Sequence, residues 1–413
     1  MRKTLWIIFA VGAIAFLAGL LGITDRLRHG LLHVGWGSPV PWALWVVFYI
    51  YFIGLSAGAF LLSSLVYVFG VKRFEPVGRV AVFTALMSLI AAMLFIVVDL
   101  GHLERFYFVL VRPGFHSLLA WIVWLYSFYF LLLLAEAWFL MRRDFARGGS
   151  HPGFKGGLYR LLAVGTPVGT AEDVAKDLRV VRALGGIGIP LAIAFHGGTG
   201  SVFAVTMART YWNSGLFPVL FLLSALASGG ALLTAVASFV VRKGHDRYRD
   251  VVLGLGTLLT SLLLLEVVME VAEFLVGLYS TSEAHVIPLR VQLFGDYWMI
   301  FWLVSLGLAV GLPLVLLATL GRRQARVVGL AALVSALGFV GIRWNIVLPG
   351  FALPELPGIE RALIEPHLNY LIPYRPTAME WLVVAFAISI PLMLFAIGFG
   401  ILPLEPERPV AEA

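Results

Sequence analysis

Three glutamates at helical spacing inside an apolar stretch are the residues of this sequence that are best placed to do chemistry. Glu266, Glu270 and Glu273 follow the spacing i, i+4, i+7, which puts them on one face of a helix. A charge within a bilayer is costly, so each carboxyl group there needs a reason. One buried acid can be structural, whereas three on one face favour a hydrated, protonatable track. Arg343 and Glu380, in later apolar stretches, are expected to pair with this track.

Asp99 stands at the end of another apolar stretch, shortly before His102 and Arg105. In one interpretation a helix end reaches interfacial water and Arg105 is the ion-pair partner of Asp99. In the other, Asp99 exchanges protons beside a lipid-facing pocket, which is work that carboxyl groups do in catalysis. Glu136 lies toward the far end of the next apolar stretch, where it either reaches the interface or joins the proton route.

A histidine in the middle of an apolar stretch, His196, is followed by the run Gly-Gly-Thr-Gly-Ser. A lone histidine in a helix is usually a packing residue, but the small neighbours leave space for a pocket beside the ring. The other eight of the nine histidines fall in loops or at helix ends, so a bis-histidine haem b site is not expected. The chain has no cysteine, which excludes thiolate-bound iron–sulphur clusters, disulfides and c-type haem attachment.

The elements that must position these residues are apolar blocks long enough to cross a bilayer. Hydrophobic residues make up 61% of the 413 residues and charged ones 13%, against about a quarter charged in soluble domains. The first block follows Arg2 and Lys3, so a signal peptide competes with a retained helix; the block lacks a small-x-small cleavage site before Asp25. The ten predicted helices span about 5–22, 42–70, 80–100, 117–141, 183–207, 215–241, 251–279, 297–320, 327–348 and 380–402.

The basic residues indicate an orientation rather than a nucleic-acid partner. Most of the 30 lysines and arginines lie in the even-numbered loops and the two tails, which explains the net charge of +7. The positive-inside rule then predicts that both termini are cytoplasmic and that the odd-numbered loops face the periplasm of a bacterial or archaeal cell. Examples are Lys72, Arg73, Arg142, Arg143, Arg147, Arg242, Lys243, Arg322 and Arg323.

Two four-helix bundles with two flanking helices are the predicted organisation of this all-α membrane protein. Leu55–Leu62 resembles Leu226–Leu233, and the same offset carries Asp99 onto Glu270. Gly54 and Gly58 form a small-xxx-small face suited to close helix packing. The divisions are 1–41 (first helix and outer loop), 42–209 (first bundle), 210–348 (second bundle) and 349–413 (outer loop, tenth helix and tail). The proline- and aromatic-rich loop 349–379 is expected to be an ordered cap or docking surface rather than a tether, and the stretch 142–182 to include a short surface helix.

Several motifs in this order along ten helices make the chain resemble the polysulphide-reductase membrane-subunit (NrfD/PsrC) family. It is most similar to a ten-helix branch that includes hydrogenase-2-type and sulphur-metabolism membrane subunits. The resemblance covers nearly the whole chain. Its carriers are Pro41-Trp42-Ala43-Leu44-Trp45 with Gly54-Leu55-Ser56-Ala57-Gly58, Asp99-Leu100-Gly101-His102 with Arg105-Phe106, His196 with Gly200-Ser201, Gly295-Asp296-Tyr297-Trp298 with Phe301-Trp302, and Tyr374-Arg375-Pro376 with Glu380.

The resemblance implies a function that composition cannot give. Members of the family bind no redox metal or haem themselves and exchange electrons between the membrane quinone pool (menaquinone or ubiquinone) and a peripheral subunit. That partner is expected to be a periplasmic four-cluster iron–sulphur protein, which leads to a catalytic subunit of the molybdenum-enzyme or hydrogenase type. The absence of cysteine fits this division of work. Quinone is expected near the outer face, in the first bundle.

Site residues follow from the same resemblance, position by position. Asp99 matches an acid that is expected to exchange protons with the quinone head group. Tyr49 stands where some relatives have a quinone-contacting histidine, and a phenol is a poorer proton acceptor, so this departure leaves the proton donor open. His196 is a candidate second contact or relay. The remaining candidates for the quinone site are His102, Arg105, Trp45 and Trp121, the two tryptophans being either pocket walls or an interfacial belt.

Two other functions are compatible with ten apolar helices. A secondary transporter would also have an internal repeat and buried acids, but it favours broken helices at equivalent positions of both halves. Pro190 with the glycine run after His196 has no clear counterpart in the ninth helix. A passive membrane anchor without quinone chemistry is the other alternative, and unpaired buried acids would be costly in it.

Overall fold

The computed structural model describes residues 3–37, 40–241, 248–321, 324–353 and 374–405, and within them every regular element is helical. Ten of the helices are long and apolar enough to cross a membrane, so the protein is a multi-pass α-helical membrane protein, as predicted. They are α1 (Lys3–His29), α2 (Leu44–Tyr67), α3 (Gly78–Asp99), α4 (Leu118–Gly148), α5 (Ala171–Ala204), α6 (Phe217–Phe239), α7 (Tyr248–Leu278), α8 (Ile300–Ala318), α9 (Ala325–Val347) and α10 (Ala378–Ile401).

Helices α4 and α5, like α1, extend beyond the apolar segments that the sequence predicts, and ion pairs between α4 and α5 stabilise their extensions. Helix α4 continues to residue 148 and α5 begins at residue 171, where Thr170 and Asp173 form a capping box. Asp177 accepts hydrogen bonds from Arg142 and from Arg143, whose Nε lies 2.8 Å from its Oδ2. This cluster joins the ends of α4 and α5, so charged residues continue both helices past the hydrophobic boundary.

Short helices complete the described chain. The stretch 142–182 contains the predicted short helix, at Phe154–Ala163. The first twelve residues of α8, Ile300–Gly311, wind as a π-helix before the α-helical turn Leu312–Ala318. The remaining short elements are Lys72–Val77, Leu103–Arg105, Phe108–Val111, Glu283–Leu293 and Pro349–Phe351.

Helix α2 lies at the centre of the molecule and is buried along nearly all of its length. It packs on α3, α5, α6 and α9. The closest approach is to α6, because a Cβ at Gly58 would stand 2.9 Å from the Cα of Gly229 and closer still to Ala225. Gly58 therefore has the packing role that its spacing predicts. Since α6 also contacts α5, α7 and α9, helices of the two predicted bundles share a broad interface, and the division into two bundles stays a prediction.

Helices α1 and α10 form a closely packed pair at one side, with α10 resting on α3. Small residues of α1 make the contact: a Cβ at Gly19 would stand 2.5 Å from the backbone nitrogen of Phe386. Gly12 and Gly22 meet α10 in the same way. This dedicated packing face favours a retained first helix over a cleaved signal sequence.

Some predictions fall on residues that the structure does not describe. Four basic residues used for the orientation, Arg242, Lys243, Arg322 and Arg323, lie outside the described ranges, as does Arg2. So does most of the 349–379 loop, including Pro354, Pro357, Pro366, Tyr370 and Pro373. The orientation and the cap role of that loop stay predictions.

Candidate functional site

A cavity of about 590 Å³ lies between α2, α3, α4 and α5, at the end of α3. Its volume is within the range of small-molecule sites, about 300–1,000 Å³. Most of the wall is apolar, and Leu110 and Leu119 at its rim are exposed. The polar side chains of the wall are Tyr49, Asp99, His102, Arg105, Tyr126, Ser127 and Thr199. Four of the predicted site residues, Tyr49, Asp99, His102 and Arg105, therefore meet in one cavity.

A chain of three hydroxyl groups forms one wall of the cavity. The Oη atoms of Tyr49 and Tyr126 are 2.5 Å apart, and Tyr126 Oη is 2.6 Å from Thr199 Oγ1. Thr199 donates its only hydroxyl proton to the carbonyl of Phe195 at 2.9 Å. Tyr126 must then donate to Thr199, and Tyr49 to Tyr126. The lone pairs of the Tyr49 oxygen are thus available to a hydrogen-bond donor in the cavity.

Asp99 occupies the last position of α3 and faces the cavity with a carboxyl group whose Oδ1 is buried and has no hydrogen-bond partner among the described residues. Its cationic neighbour is Arg26 of α1, which is 2% exposed. Arg26 donates from Nε to the carbonyl of Val98 at 3.0 Å and from Nη2 to that of Leu100, so it holds the residues on both sides of Asp99. The interpretation in which Arg105 is the ion-pair partner of Asp99 is therefore not supported among the described residues.

The mouth of the cavity is formed by the segment that follows α3. Arg105 instead contacts Glu104, its Nε lying 3.8 Å from Oε1, and His102 Nδ1 is 3.0 Å from the same oxygen. The pKa of the exposed Glu104 carboxyl group lies below its usual value, because this group accepts a hydrogen bond from its own backbone and a further one from His102. The mouth therefore carries an exposed, charged cluster over an apolar interior.

The two tryptophans expected in the cavity lie outside it. Trp45 is buried on the α10 side, where its Nε1 donates to the carbonyl of Glu380 at 3.2 Å and Arg26 lies 5.8 Å from its ring centre. Trp121 is 50% exposed and donates to the carbonyl of Phe115 at 2.8 Å. Trp42, three residues before Trp45 and just ahead of α2, lines the cavity.

His196 does not line the cavity, although Thr199 in the next turn of α5 does. It is fully buried, its ring lies 6.0 Å from that of Phe221, and neither ring nitrogen has a well-formed hydrogen bond within the part of the chain that the structure describes. Its charged neighbour is Arg343 of α9, which is also fully buried. Gly54 makes room for this arginine, since a Cβ there would stand 3.0 Å from Nη2 of Arg343 and 3.6 Å from Cε1 of His196.

The predicted glutamate track is assembled in a second, smaller cavity of about 40 Å³. Glu266, Glu270 and Glu273 all line this cavity. Its volume is enough for one or two water molecules. Glu266 is buried, one of its carboxyl oxygens lacks a hydrogen-bond partner, and it interacts electrostatically with Arg343, as predicted. Polar partners from other elements complete the wall, namely Tyr211, Ser224, Gln292 and Asn345.

Two acids expected in the proton route have other surroundings. Glu380 is 1% exposed and belongs to the N-terminal cap of α10: its Oε2 accepts from the backbone nitrogens of Gly35 at 2.8 Å and Thr377 at 2.9 Å, and Tyr374 donates to its Oε1. Its expected pairing with the glutamate track is therefore wrong. Glu136 is 1% exposed with an unpartnered Oε2, so it does not reach the interface.

Four residues of the site were not singled out in the sequence: Arg26, Trp42, Tyr126 and Thr199. For Arg26 a signal existed, because it lies at the end of the first helix that is predicted to face outwards, where the positive-inside rule disfavours a basic residue. The tyrosine and threonine carry no such signal, since their pairing joins α4 to α5 and depends on how the helices pack.

The fold and the cavity define a class of protein: a polytopic membrane protein with a largely apolar cavity whose wall includes a carboxyl group and a chain of hydroxyl groups. A family model described as polysulphide reductase, NrfD, matches residues 34–355. The chain belongs to this family, as the resemblance of its motifs indicates.

Curated relatives match along nearly their entire length. A subunit of the selenate reductase of Mesobacillus selenatarsenatis is 41% identical over 404 residues, which are 96% of this chain and 93% of that protein. A putative membrane subunit of the dimethyl sulfoxide reductase of Halobacterium salinarum is 31% identical over 412 residues, or 97% and 91% of the two chains. The Hdr-like menaquinol oxidoreductase integral membrane subunit of Archaeoglobus fulgidus is 27% identical over 418 residues, or 98% and 94%. The chain is thus similar to membrane subunits of redox complexes.

Proposed function

We propose that this chain is the quinone-reactive membrane subunit of a respiratory oxidoreductase complex. It would exchange electrons between the menaquinone pool and an iron–sulphur subunit docked on the periplasmic face, with both of its own termini in the cytoplasm. The observation that carries this proposal is the 590 Å³ cavity, whose apolar wall ends in Asp99 and the Tyr49–Tyr126–Thr199 chain. The relative named a menaquinol oxidoreductase subunit supports the choice of quinone.

The chemistry of a quinone suits this wall. The ring and isoprenoid tail need apolar surface, while the two ring oxygens need polar partners that change role as protons leave. The lone pairs of Tyr49 can accept from one quinol hydroxyl. Asp99 can take a proton from a hydroxyl group, directly or through water, since its Oδ1 has no other partner. Oxidation of one quinol then releases two protons to the site and two electrons to the partner subunit, and reduction reverses both transfers.

The outer segment after α3 is the docking surface in this proposal. Phe106 is 50% and Val111 64% exposed, and Tyr107 and Phe108 beside them are also exposed. Residues 101–106 contribute to the mouth of the cavity. A partner bound there would bring its nearest cluster close to the quinone ring. Exposed aromatic side chains are enriched in protein interfaces, which fits an iron–sulphur protein that connects to a catalytic subunit.

The buried acids form the proton route of the proposal. Glu266, Glu270 and Glu273 face a cavity large enough for water. Arg343 interacts electrostatically with Glu266 of that cavity and with His196, which lies one turn before Thr199 of the quinone site. Glu136 is a further buried acid in the first bundle.

We expect Glu270→Gln to slow quinol turnover by about tenfold or less, and by less than the loss of Asp99, because Glu270 lies in the second cavity and not in the quinone site. Turnover of the purified complex with a water-soluble menaquinol analogue measures this. Glu283→Gln, an exposed glutamate beyond α7, is the matched control and should be silent. A loss as large as that of Asp99→Asn would mean that the chemistry is centred on the second cavity.

The hydroxyl chain gives another expected result. Tyr126→Phe removes the acceptor of Tyr49 and should raise the KM for menaquinol about tenfold, the value of one net hydrogen bond of about 1.4 kcal/mol. The matched control is Tyr129→Phe, a buried tyrosine one turn further along α4 that bonds Ser56 and does not line the cavity. Equal effects of the two substitutions would remove the hydroxyl chain from the site.

The experiment that tests the function as a whole is gentle purification of the chain from its native membrane. Co-purified proteins are identified by mass spectrometry, and organic extracts are assayed for quinone. A cysteine-rich iron–sulphur protein together with menaquinone is the expected result. A chain that purifies alone, without quinone or clusters, would contradict the proposal and favour a transporter. A chain with partners but no quinone, and no quinol turnover, would favour a passive membrane anchor.

A further inference from the structure

Two histidines and an aspartate converge at the outer end of α1, away from both cavities. Asp25 and His29 are one turn apart on the helix, and His29 Nδ1 lies 2.8 Å from Asp25 Oδ1. Helix α1 ends at His29, and Gly30, with φ +63°, turns the chain back. That turn returns His33 to the same carboxyl group, its Nδ1 lying 2.9 Å from Oδ2.

We propose that Asp25, His29 and His33 form a binding site for a divalent transition-metal ion, of which Zn²⁺ is the best match. Two imidazoles and a carboxylate are ligands that zinc prefers, at about 2.0–2.2 Å. The three ligand atoms already lie within 4.8 Å of one another, so small rotations of the side chains bring them to one ion. In the described part of the chain, this is the one group of three such ligands that converges.

Hydrogen bonding alone is the alternative account of the cluster. A carboxylate that accepts from two imidazole N–H groups needs no metal. Two features favour an ion. Both histidines direct the same atom, Nδ1, at one carboxyl group, and all three side chains are accessible, with exposures of 25% for Asp25, 49% for His29 and 48% for His33. Three protein ligands leave a fourth position of a tetrahedral zinc ion for water or for a ligand from a partner.

Hydrogen bonds of neighbouring residues hold the segments that carry the three ligands in place. The carbonyl of His33 accepts from Thr377 Oγ1 at 2.9 Å, which fixes the returning segment against the start of α10. Arg26, directly after Asp25, faces the protein interior and is occupied by the carbonyls of Val98 and Leu100. An ion at the cluster would therefore cross-link α1 to the following segment, one residue from the arginine that holds the end of α3.

Zinc titration of the full chain, purified in detergent and freed of metal by chelator, tests the proposal. Competition with a chromophoric zinc indicator gives affinity and stoichiometry, and elemental analysis confirms the amount bound. One equivalent per chain is expected. His29→Ala and His33→Ala should each weaken binding by at least about tenfold, since even the loss of a group behind the ligands costs about 10- to 100-fold. His116→Ala, an exposed histidine in the segment between α3 and α4, is the matched control and should bind as the parent does.

Unchanged affinity in both variants, or no stoichiometric zinc binding by the parent, would overturn the proposal. Cobalt provides a readout that requires no substitution, because four-coordinate Co²⁺ absorbs visible light much more strongly than the aqueous ion. The parent protein should develop this absorption on titration with Co²⁺ and lose it on addition of Zn²⁺. A Co²⁺ spectrum identical to that of the free ion would also count against the site.

Discussion

Asp99→Asn should lower kcat for quinol oxidation by about 10²- to 10⁴-fold, the usual contribution of a positioned acid or base, while the complex still assembles. Asparagine has the shape of aspartate and cannot take up a proton. Asp99 lines the cavity, and its Oδ1 has no hydrogen-bond partner in the described protein, so this oxygen is available to take up a proton. Turnover of the purified complex with a menaquinol analogue, together with the amount of co-purified partner, measures both parts of the expectation.

A matched control for Asp99→Asn is available five residues further along the chain. Glu104 is an exposed carboxyl group at the mouth of the same cavity, yet it pairs with His102 and does not line the wall. Glu104→Gln makes the same chemical change and is expected to leave kcat within about twofold, as for a solvated surface pair. Wild-type turnover by Asp99→Asn, or an equal loss in Glu104→Gln, would exclude Asp99 as the proton acceptor.

The ten helices could be predicted from the sequence because hydropathy is a local property. Their ends were harder, since α4 and α5 continue through charged residues that are satisfied only by pairing with each other, as Arg143 and Asp177 are. The aspartate and the tyrosine of the candidate site could also be predicted from the sequence, because Asp99 begins one of the recognisable motifs and Tyr49 lies between two of them.

The sequence does not reveal how helix α2 is rotated about its own axis, and therefore which of its faces lines the cavity. Helix α2 is buried almost all round, so no polar face indicates which residues line a site. The side chains of Trp42, Val46, Tyr49 and Ile50 line the cavity, whereas that of Trp45 does not. Each residue turns an α-helix by about 100°, so one position decides whether a side chain lines a cavity.

Contacts between distant parts of the chain are the other missing information. Arg26 and Asp99 are neighbours only because α1 packs along α10, which in turn rests on α3. Arg343 lies against Gly54 only because α9 packs on α2. Its place in an apolar stretch indicates a buried arginine, but nothing local in either segment indicates that Gly54 makes room for it. Such partners become visible once the helices are packed, and they produce the second large effect expected of this protein.

Glu266→Gln should destabilise the protein by about 3 kcal/mol, through the loss of the negative charge that compensates Arg343. Arg343 is fully buried, its three guanidinium nitrogens lack hydrogen-bond partners in the described protein, and its favourable contacts are the field of Glu266 and the Phe221 ring at 5.2 Å. The guanidinium group cannot lose its proton, so removal of the glutamate leaves a charge that nothing neutralises. The midpoint of thermal unfolding in detergent measures the loss.

The reverse substitution separates charge compensation from packing. Arg343→Met keeps most of the side-chain volume, and the Glu266 that remains can become neutral by binding a proton, which makes this change the milder of the two. The double variant Glu266→Gln/Arg343→Met contains no buried charge at either position, so it should recover most of the stability that Glu266→Gln loses. Glu270→Gln is the control, since Glu270 has no resolved interaction with Arg343. If the double variant were less stable than Glu266→Gln, the two groups would be independent, and Arg343 would owe its stability inside the membrane to a partner other than Glu266.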